Sequence, residues 1–559
     1  MRVAIGLTSV TAGAPPLLIT RRRNWGFRTP VVLRTALLQN RPHQVLSEMN
    51  PTVKGSFHLK LGTRLIPGEG GGIVFRLRPL RALRVNSSAF DLLLRCGNGL
   101  SLDDKCFDNS ELLESALSLL DRLCQAGLLE WKPPHGAIEP FVSIVVAVCN
   151  RAGEIGSCIE SLLNLNYPRS KYEIIVVDDA SEDDTPSVVS RYGVKLIMQE
   201  QNLGQSAARN IGVTEARGEI VAFIDSDCIA ESGWLRELVP CFQDARNALV
   251  GGYVAPYFLD SVLDRYEAAK SPLNMGEDVL TGSGEESDFY VPTCNMLVRR
   301  DVYLQTGGLN ENLRVGEDVD FCWRLKEKGY RLIYFPQGRV RHKHRNRFAQ
   351  TFKRRFDYGT SEPVLYGRHK AMFKHYPLQP ACMAIFFLCT WALLARLPLC
   401  ALAAAPIFLC DVLSKKRLYE KQIGIPLTFK IVLGATVARY FELLYYLSSH
   451  LIRYHLVLMV LLGLVFMPIM PLVAAVVLLP SISEFFRKRP SLSFPTFLIL
   501  FLTDQASYQA GVFWGCVKQK SFRTYRLVFV TSVPTSRTRV LRKIRAILGT
   551  TQNSPVISR

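Results

Sequence analysis

Two carboxylates separated by one small residue end an apolar run near the middle of the chain. The run reads EIVAFIDSD, and its last two acids are Asp225 and Asp227. If a strand continues through both residues, the two side chains leave the same face, because side chains alternate between the faces of a strand. Carboxylate oxygens are the ligands that hard divalent cations prefer. The spacing therefore predicts that the two acids share a metal ion, although Asp-x-Asp is also common in ordinary turns.

Two further acidic pairs stand at the ends or starts of regular patterns. Asp178 and Asp179 follow the apolar stretch YEIIVV, and Glu317 and Asp318 follow Gly316 where a helix-like segment begins. An acid at the carboxyl end of a strand in an open α/β sheet can accept hydrogen bonds from a nucleobase or a ribose. Acids in the first turn of a helix are also ordinary partners of the helix dipole. Each pair, taken alone, is compatible with a binding role or a structural one.

The segments around these acids alternate between strand-like and helix-like patterns. This alternation predicts an α/β domain in which helices cover a parallel sheet. The predicted strands are 142–148, 173–178, 194–199 and 220–225, with further strands at 249–255 and 290–298, and the predicted helices are 153–163, 185–191 and 205–216. Two of the acidic pairs then follow the carboxyl ends of strands, where open α/β sheets bind their ligands.

Several of these stretches together resemble the inverting family 2 glycosyltransferases. The matching stretches are VSIVVAVCNRAGEIGSCIESLLNLNYP, YEIIVVDDASEDDT, QNLGQSAARNIG, VAFIDSD, VPTCNMLVRR and VGEDVDFCWRLKEKGY, which cover about residues 141–344. The resemblance implies that residues 138–345 form a nucleotide-diphospho-sugar transferase (GT-A) domain with a Rossmann-like α/β fold. It also implies that an alpha-linked donor gives a beta linkage.

The same resemblance implies roles for individual residues. Asp318 is implied to be the catalytic base, with Glu317 beside it. The residues implied to bind the sugar nucleotide are Asp178, Asp179, Asn202, Gly204, Arg209 and Asp225, and those implied to hold Mn²⁺ or Mg²⁺ are Asp225, Asp227 and His342. This division suits the chemistry, because a diphosphate leaving group needs its charge neutralised and an acceptor hydroxyl needs a base.

A small unit at residues 55–131 has a different predicted secondary structure, with short strands, a capped helix and a second amphipathic helix. It resembles the winged-helix-like peptide-clamp domains similar to the pyrroloquinoline-quinone D family. A precursor peptide would add to an edge strand near residues 73–77 by backbone pairing. A purely structural cap on the following domain is the alternative.

The remaining segments are basic or apolar, and the chain carries a formal net charge of +20. Residues 1–48 are expected to be disordered or to precede a true start at Met49, and 531–559 form a basic tail. Residues 346–530 contain two apolar runs, 380–410 and 455–480, that favour a membrane over nucleic acid as the partner of the charge. Hairpins that return to the cytoplasmic face are preferred, with 430–447 lying on that surface as an amphipathic helix. Dispersed cysteines in apolar runs indicate a reducing compartment.

The whole plan, from about residue 55 to 529, resembles the mycofactocin-system glycosyltransferases. The resemblance implies a UDP-sugar donor, UDP-glucose first, and a peptide-derived redox cofactor as acceptor, on which a short beta-linked oligosaccharide is built. Precursor-peptide or maturation-enzyme partners are then expected. Two alternatives stay open: a membrane-bound enzyme that glycosylates a lipid carrier or cell-surface polysaccharide, and a non-catalytic membrane-attached module that binds a nucleotide sugar or a peptide.

Overall fold

A computed structural model describes residues 54–77, 80–101, 110–134, 136, 138–283, 289–344, 347–372, 374–424 and 426–530. The expectations for residues 1–48 and 531–559 therefore fall outside the described part of the chain.

The N-terminal unit contains two three-stranded sheets and two helices. Its elements are β1 (Ser56–Leu59), β2 (Thr63–Gly68), β3 (Gly71–Leu77), β4 (Leu80–Asn86), α1 (Ser87–Arg95), β5 (Leu100–Ser101), α2 (Ser110–Gln125) and β6 (Leu129–Lys132). One sheet has the order β5-β1-β6 and the other the order β2-β3-β4. The prediction of an edge strand near residues 73–77 is wrong, because β3 pairs with both of its neighbours. Its backbone is already bonded on both sides, so a peptide would have to add to β2 or β4 instead.

The central unit is a nine-stranded sheet with helices on it. Its elements are β7 (Val142–Val148), α3 (Ala152–Leu163), β8 (Tyr172–Asp178), α4 (Thr185–Val189), β9 (Lys195–Met198), α5 (Gln205–Thr214), β10 (Ile220–Phe223), β11 (Cys228–Ala230), α6 (Trp234–Leu238), β12 (Asn247–Pro256), α7 (Val262–Lys270), β13 (Leu280–Ser283), β14 (Met296–Arg299), α8 (Arg300–Thr306), α9 (Glu317–Glu327) and β15 (Arg331–His342).

The strand order is β11-β15-β12-β14-β10-β7-β8-β9, with β13 beside β15. Strands β7 to β10 are parallel, as the alternating pattern predicts. The predicted parallel pairing does not extend through the whole sheet, since β14 runs antiparallel between β10 and β12, and β11 and β13 run antiparallel to β15. Antiparallel neighbours need no helical crossover, so the repeating strand and helix pattern that reveals the first four strands is lost after β10.

The C-terminal unit is helical. Its elements are α10 (Phe348–Arg368), β16 (His375–Pro377), α11 (Pro380–Leu394), α12 (Ala404–Ile423), α13 (Phe429–Val465), α14 (Met470–Lys488), α15 (Phe494–Lys518) and β17 (Val528–Val530). The predicted surface helix 430–447 is not a separate element, because it continues into the second apolar run as α13. Its Val432 is buried in a cluster with Ile73 and Ala82 of the N-terminal unit, so this segment packs on protein.

Helices α10 and α15 touch backbone to backbone. A Cβ atom on Gly511 would lie 2.0 Å from the carbonyl oxygen of Phe356, and one on Gly359 would lie 2.3 Å from that of Tyr508. No real side chain fits at such a separation, so glycine is required at both contacts. The closely packed pair connects the central sheet, which ends just before α10, to the helical unit.

The N-terminal unit is joined to the central sheet by buried charges and by a common apolar core. Asp121 of α2 lies 3.0 Å from Arg331 and 3.3 Å from Arg246, and both arginines also bind Asp244. Trp131 of β6 lies under the Arg331 guanidinium, and it belongs to the same hydrophobic cluster as residues of the central sheet. This arrangement supports the structural-cap alternative for the N-terminal unit.

We expect Asp121→Ala to lower the free energy of unfolding by about 2–3 kcal/mol, because two nearly buried guanidinium groups lose a carboxylate partner. Thermal unfolding of the full chain in detergent measures this change. Glu130→Ala is the matched control, since its ion pair with Lys132 is solvent-exposed and such pairs contribute about 0–1 kcal/mol. Equal stability of the two variants would contradict the buried network's role.

Candidate active site

The acidic motif after β10 lies in a turn rather than on a strand. β10 ends at Phe223, and the Cys228 backbone N–H donates to the Asp225 carbonyl oxygen at 3.0 Å. Asp225 and Asp227 therefore do not leave one face of a strand, which corrects the geometric basis of the predicted shared metal site. The two carboxylates face different partners.

Asp225 is held by a buried arginine that also binds the third acidic motif. Arg209 of α5 is 3% exposed, and it donates to Asp225 Oδ1 at 2.6 Å and to Glu317 Oε1 at 3.1 Å. Gln205, one turn earlier, donates to the same Glu317 oxygen at 2.6 Å. Charge-assisted hydrogen bonds of this kind fix geometry strongly. The Arg209 guanidinium thus sets the distance between the turn at residues 225–227 and the start of α9.

Asp318 lies in the first turn of α9, directly after Glu317. Gly316 makes this placement possible, because it begins the helix with a φ of 81°, where a residue with a side chain is strained. Burial raises the pKa of Glu317, and burial together with the neighbouring Glu317 carboxylate raises the pKa of Asp318 to about 7. A carboxyl group with a pKa near neutral pH is well suited to accept and release a proton during turnover.

Asp227 faces a histidine across the edge of the sheet. Strand β11 pairs with β15 so that Cys228 lies opposite His342, and His342 Nε2 is 3.5 Å from Asp227 Oδ1. Possible ligand atoms of Asp227, Cys228 and His342 all lie within 4.8 Å of one another. Burial raises the pKa of the Cys228 thiol well above its usual value, and sulfur suits Mn²⁺ or Mg²⁺ less well than oxygen or imidazole nitrogen does.

The remaining pair fits a divalent cation. A carboxylate oxygen and a neutral imidazole nitrogen are suitable ligands for Mn²⁺. The other ring nitrogen of His342, Nδ1, is buried without a hydrogen-bond partner among the described residues. His344 lies next to His342, with ring centroids 4.7 Å apart, but it does not belong to the ligand cluster. Asp225 does not belong to it either, so its metal role stays a prediction.

The DD pair after β8 organises a loop. Both Asp178 oxygens accept hydrogen bonds from Ser181. The two Asp179 oxygens accept from the backbone N–H groups of Leu203 and Gly204, each at 2.8 Å. Asn202 closes the loop by donating to the Asp179 carbonyl oxygen at 3.1 Å. Asp179, Asn202 and Gly204 thus bind one another while Asp178 binds Ser181, and contact with a nucleotide stays a prediction for each.

Comparison of the sequence with known proteins identifies the family of the chain. The model for "Glycosyl transferase family 2" matches residues 143–307. A glucosyl-dolichyl phosphate glucuronosyltransferase of Haloferax volcanii is 30% identical over 251 residues, which are 40% of this chain and 77% of that protein. The chain belongs to glycosyl transferase family 2.

Other relatives of this family 2 glycosyltransferase cover more of the chain or have solved structures. A pre-mycofactocin glycosyltransferase of Mycobacterium tuberculosis is 28% identical over 457 residues, which are 79% of this chain and 91% of that protein. A solved mannosyltransferase of Pyrobaculum calidifontis, in complex with GDP-Man and Mn²⁺, aligns with a TM-score of 0.35 and 19% identity over 55% of this chain and 88% of that one. The family match, together with the mixed sheet and its parallel strands β7 to β10, confirms the predicted GT-A fold of the central unit.

Arg354 is a residue of this family 2 glycosyltransferase that was not predicted to belong to the site. Burial opposes the charged form of Arg354, but Tyr358 and the carboxylates of Asp225 and Glu317 outweigh it and raise its pKa. The guanidinium lies 5.0 Å from the Tyr358 ring centroid, one turn along α10. Arg354 therefore adds a second positive charge to the cluster that Arg209 organises. The RRFDYG stretch contained the only sequence signal for it, an arginine and a tyrosine four residues apart.

Proposed function

We propose that this family 2 glycosyltransferase transfers a sugar, glucose in the leading hypothesis, from a UDP-sugar to a peptide-derived redox-cofactor precursor of the mycofactocin type. The observation that carries the proposal is the Arg209 network, which holds Asp225 on the donor side and Glu317 beside Asp318 on the acceptor side. The pre-mycofactocin glycosyltransferase relative supports the acceptor class, because its similarity extends over 79% of this chain.

In the proposed reaction Asp318 removes the proton from the acceptor hydroxyl as that oxygen attacks the anomeric carbon. Burial and the neighbouring Glu317 carboxylate raise the pKa of Asp318, while Arg209 orients Asp225 toward the donor. Asp227 and His342 would hold the divalent cation, which when bound supplies charge neutralisation for the diphosphate leaving group. Attack from the side opposite the leaving group inverts the anomeric carbon.

Two helices, 429–465 and 467–488, are long and apolar enough to cross a membrane. We place the enzyme at the cell membrane with its catalytic unit on the cytoplasmic side, because nucleotide sugars are cytoplasmic substrates and basic residues flank the apolar segments. These helices also favour a second candidate function, transfer to a lipid carrier. Two relatives fit that alternative by name: the glucuronosyltransferase of Haloferax volcanii and a beta-monoglucosyldiacylglycerol synthase of Trichormus variabilis, 30% identical over 208 residues.

We expect the purified full chain to turn over UDP-glucose at least about tenfold faster than other UDP-sugars or GDP-sugars, a ratio that corresponds to about 1.4 kcal/mol of discrimination. Parallel assays with a peptide-derived acceptor and with a polyprenyl phosphate separate the two candidate functions. Sugar transfer to the lipid alone would reject the peptide-derived acceptor, and an equal rate with GDP-mannose would reject the donor assignment.

A further inference from the structure

Helices α13 and α14 fold as a hairpin with an exposed apolar end. The apolar run 455–480 turns back on itself at residues 466–469, between the two helices. Val465 is 86% exposed, Met467 is 65% exposed and Phe466 is 53% exposed. A contiguous apolar surface of this kind indicates contact with another apolar phase.

Both helices could cross a membrane by overall length and composition, but the uncharged stretch that each contributes to the hairpin is too short to do so. Before the turn, Leu456 to Val465 contain no charged residue, and these ten residues rise by about 15 Å along a helix. After the turn, the fourteen residues from Met470 to Ser483 rise by about 21 Å. The hydrocarbon core is about 30 Å thick. The rest of α13 cannot add to this length, because Val432 packs in one cluster with residues of the N-terminal unit and Ile452 packs in another with Tyr266 of α7.

Charged residues anchor both arms at the base of the hairpin. The Arg453 guanidinium of α13 lies 4.1 Å from the centroid of the Tyr508 ring of α15. Glu484 of α14 is buried and pairs with Lys270 of α7 at 3.3 Å and with Arg487. These pairs keep the arms from sliding deeper, since separating them would leave buried charges alone.

The base is also basic where it faces outward. Arg487, Lys488 and Arg489 are exposed and follow the apolar arm of α14 directly. Clusters of this kind favour the anionic lipid headgroups of the cytoplasmic leaflet. The apolar tip therefore lies beyond a basic cluster at the base of α14, as expected for a segment that enters a bilayer from one side.

We propose that residues 456–483 insert into a single leaflet of an anionic bilayer and return to the side from which they entered. The chain then has no crossing in this hairpin, and both bases of the hairpin lie on the side of the catalytic unit. This inference depends on neither the sugar nor the acceptor, so it can fail or hold independently of the proposed function.

Cysteine accessibility tests the insertion. Val465→Cys at the tip and Lys488→Cys at the base are introduced separately into the full chain in a bacterial inner membrane. Each is treated with a membrane-impermeant maleimide in spheroplasts and in inverted vesicles. Labelling is read by mass spectrometry of the peptide, because the sequence has no cysteine between Cys410 and Cys516. Labelling in detergent and unchanged nucleotide-sugar hydrolysis show that the thiol is reactive and the protein folded.

We expect Lys488→Cys to be labelled in inverted vesicles, Val465→Cys to be labelled at least about tenfold less, as for a group buried in hydrocarbon, and neither to be labelled in spheroplasts. Labelling of Val465→Cys in spheroplasts would show a crossing and overturn the proposal. Equal labelling of the two in inverted vesicles would place the tip in water and also overturn it. Leu462→Cys, at a half-exposed position in the same arm, repeats the test if Val465→Cys does not fold.

Discussion

Asp318→Asn should lower the rate of sugar transfer by about 10²- to 10⁴-fold and leave UDP-sugar affinity within a few-fold. Asparagine has nearly the same shape but cannot take the proton of the acceptor hydroxyl. The loss falls on kcat, because a base acts in the transition state rather than on donor binding. Single-turnover transfer and calorimetric titration with the UDP-sugar measure the two quantities. Retention of more than about a tenth of the wild-type rate would reject Asp318 as the base.

The raised pKa of Asp318 gives this prediction a pH dependence. The base must be ionised to act, so the wild-type rate should rise with pH and level off above about 7, while the residual Asp318→Asn rate should lack this step. Stability should change in the opposite direction. Because the folded pKa lies above the ordinary value of 3.8, folding favours the protonated form, and stability is lost as pH rises from about 4 to about 7. Asp318→Asn should therefore raise the Tm relative to wild type above pH 7.

Asp227→Ala should abolish the gain in UDP-sugar affinity that Mn²⁺ gives the wild type, a change of more than about tenfold. The variant removes one of the two proposed ligands and leaves His342 without its carboxylate neighbour. Titration of UDP-sugar with and without Mn²⁺ measures the effect. His342→Asn should resemble Asp227→Ala, and His344→Asn is the matched control, because that ring is adjacent but outside the ligand cluster. A gain in affinity on adding Mn²⁺ to Asp227→Ala would remove Asp227 from the metal site.

The sequence predicted the first half of the central sheet well, because each strand there is a short apolar run followed by a helix. Predicted strand 142–148 coincides with β7, and helix 153–163 begins one residue after the start of α3. The position of β14 between β10 and β12 could not be predicted, since antiparallel pairing leaves no periodic mark in one chain. The prediction of an edge strand at residues 73–77 was wrong for a related reason, because strand propensity does not indicate which strands pair with a given strand.

At the site, the sequence pointed to acidic and histidine residues but did not indicate which of them contact one another. The prediction that Asp225 and Asp227 share a face assumed a strand through both residues, whereas β10 ends at Phe223. Strand pairing determined the histidine contact. An alternating pair such as His342 and His344 shows a common face, but only the pairing of β15 with β11 shows which histidine meets Asp227. Arg209 contacts Glu317, which lies 108 positions further along the sequence. Local sequence patterns carry no information about contacts at that separation.

The glycine contacts between α10 and α15 bear on how the catalytic unit can be produced for study. Ser361 and Leu365 of α10 lie within 3.2 Å of where a Cβ atom on Gly316 would be, so α10 supports the turn that presents Asp318. The opposite face of α10 meets α15 with no side chain between the backbones. A fragment that ends after β15 would lose this support, and one that ends after α10 would expose the bare helix face to water. Expression that retains activity should therefore need the chain through α15, and detergent or lipid with it.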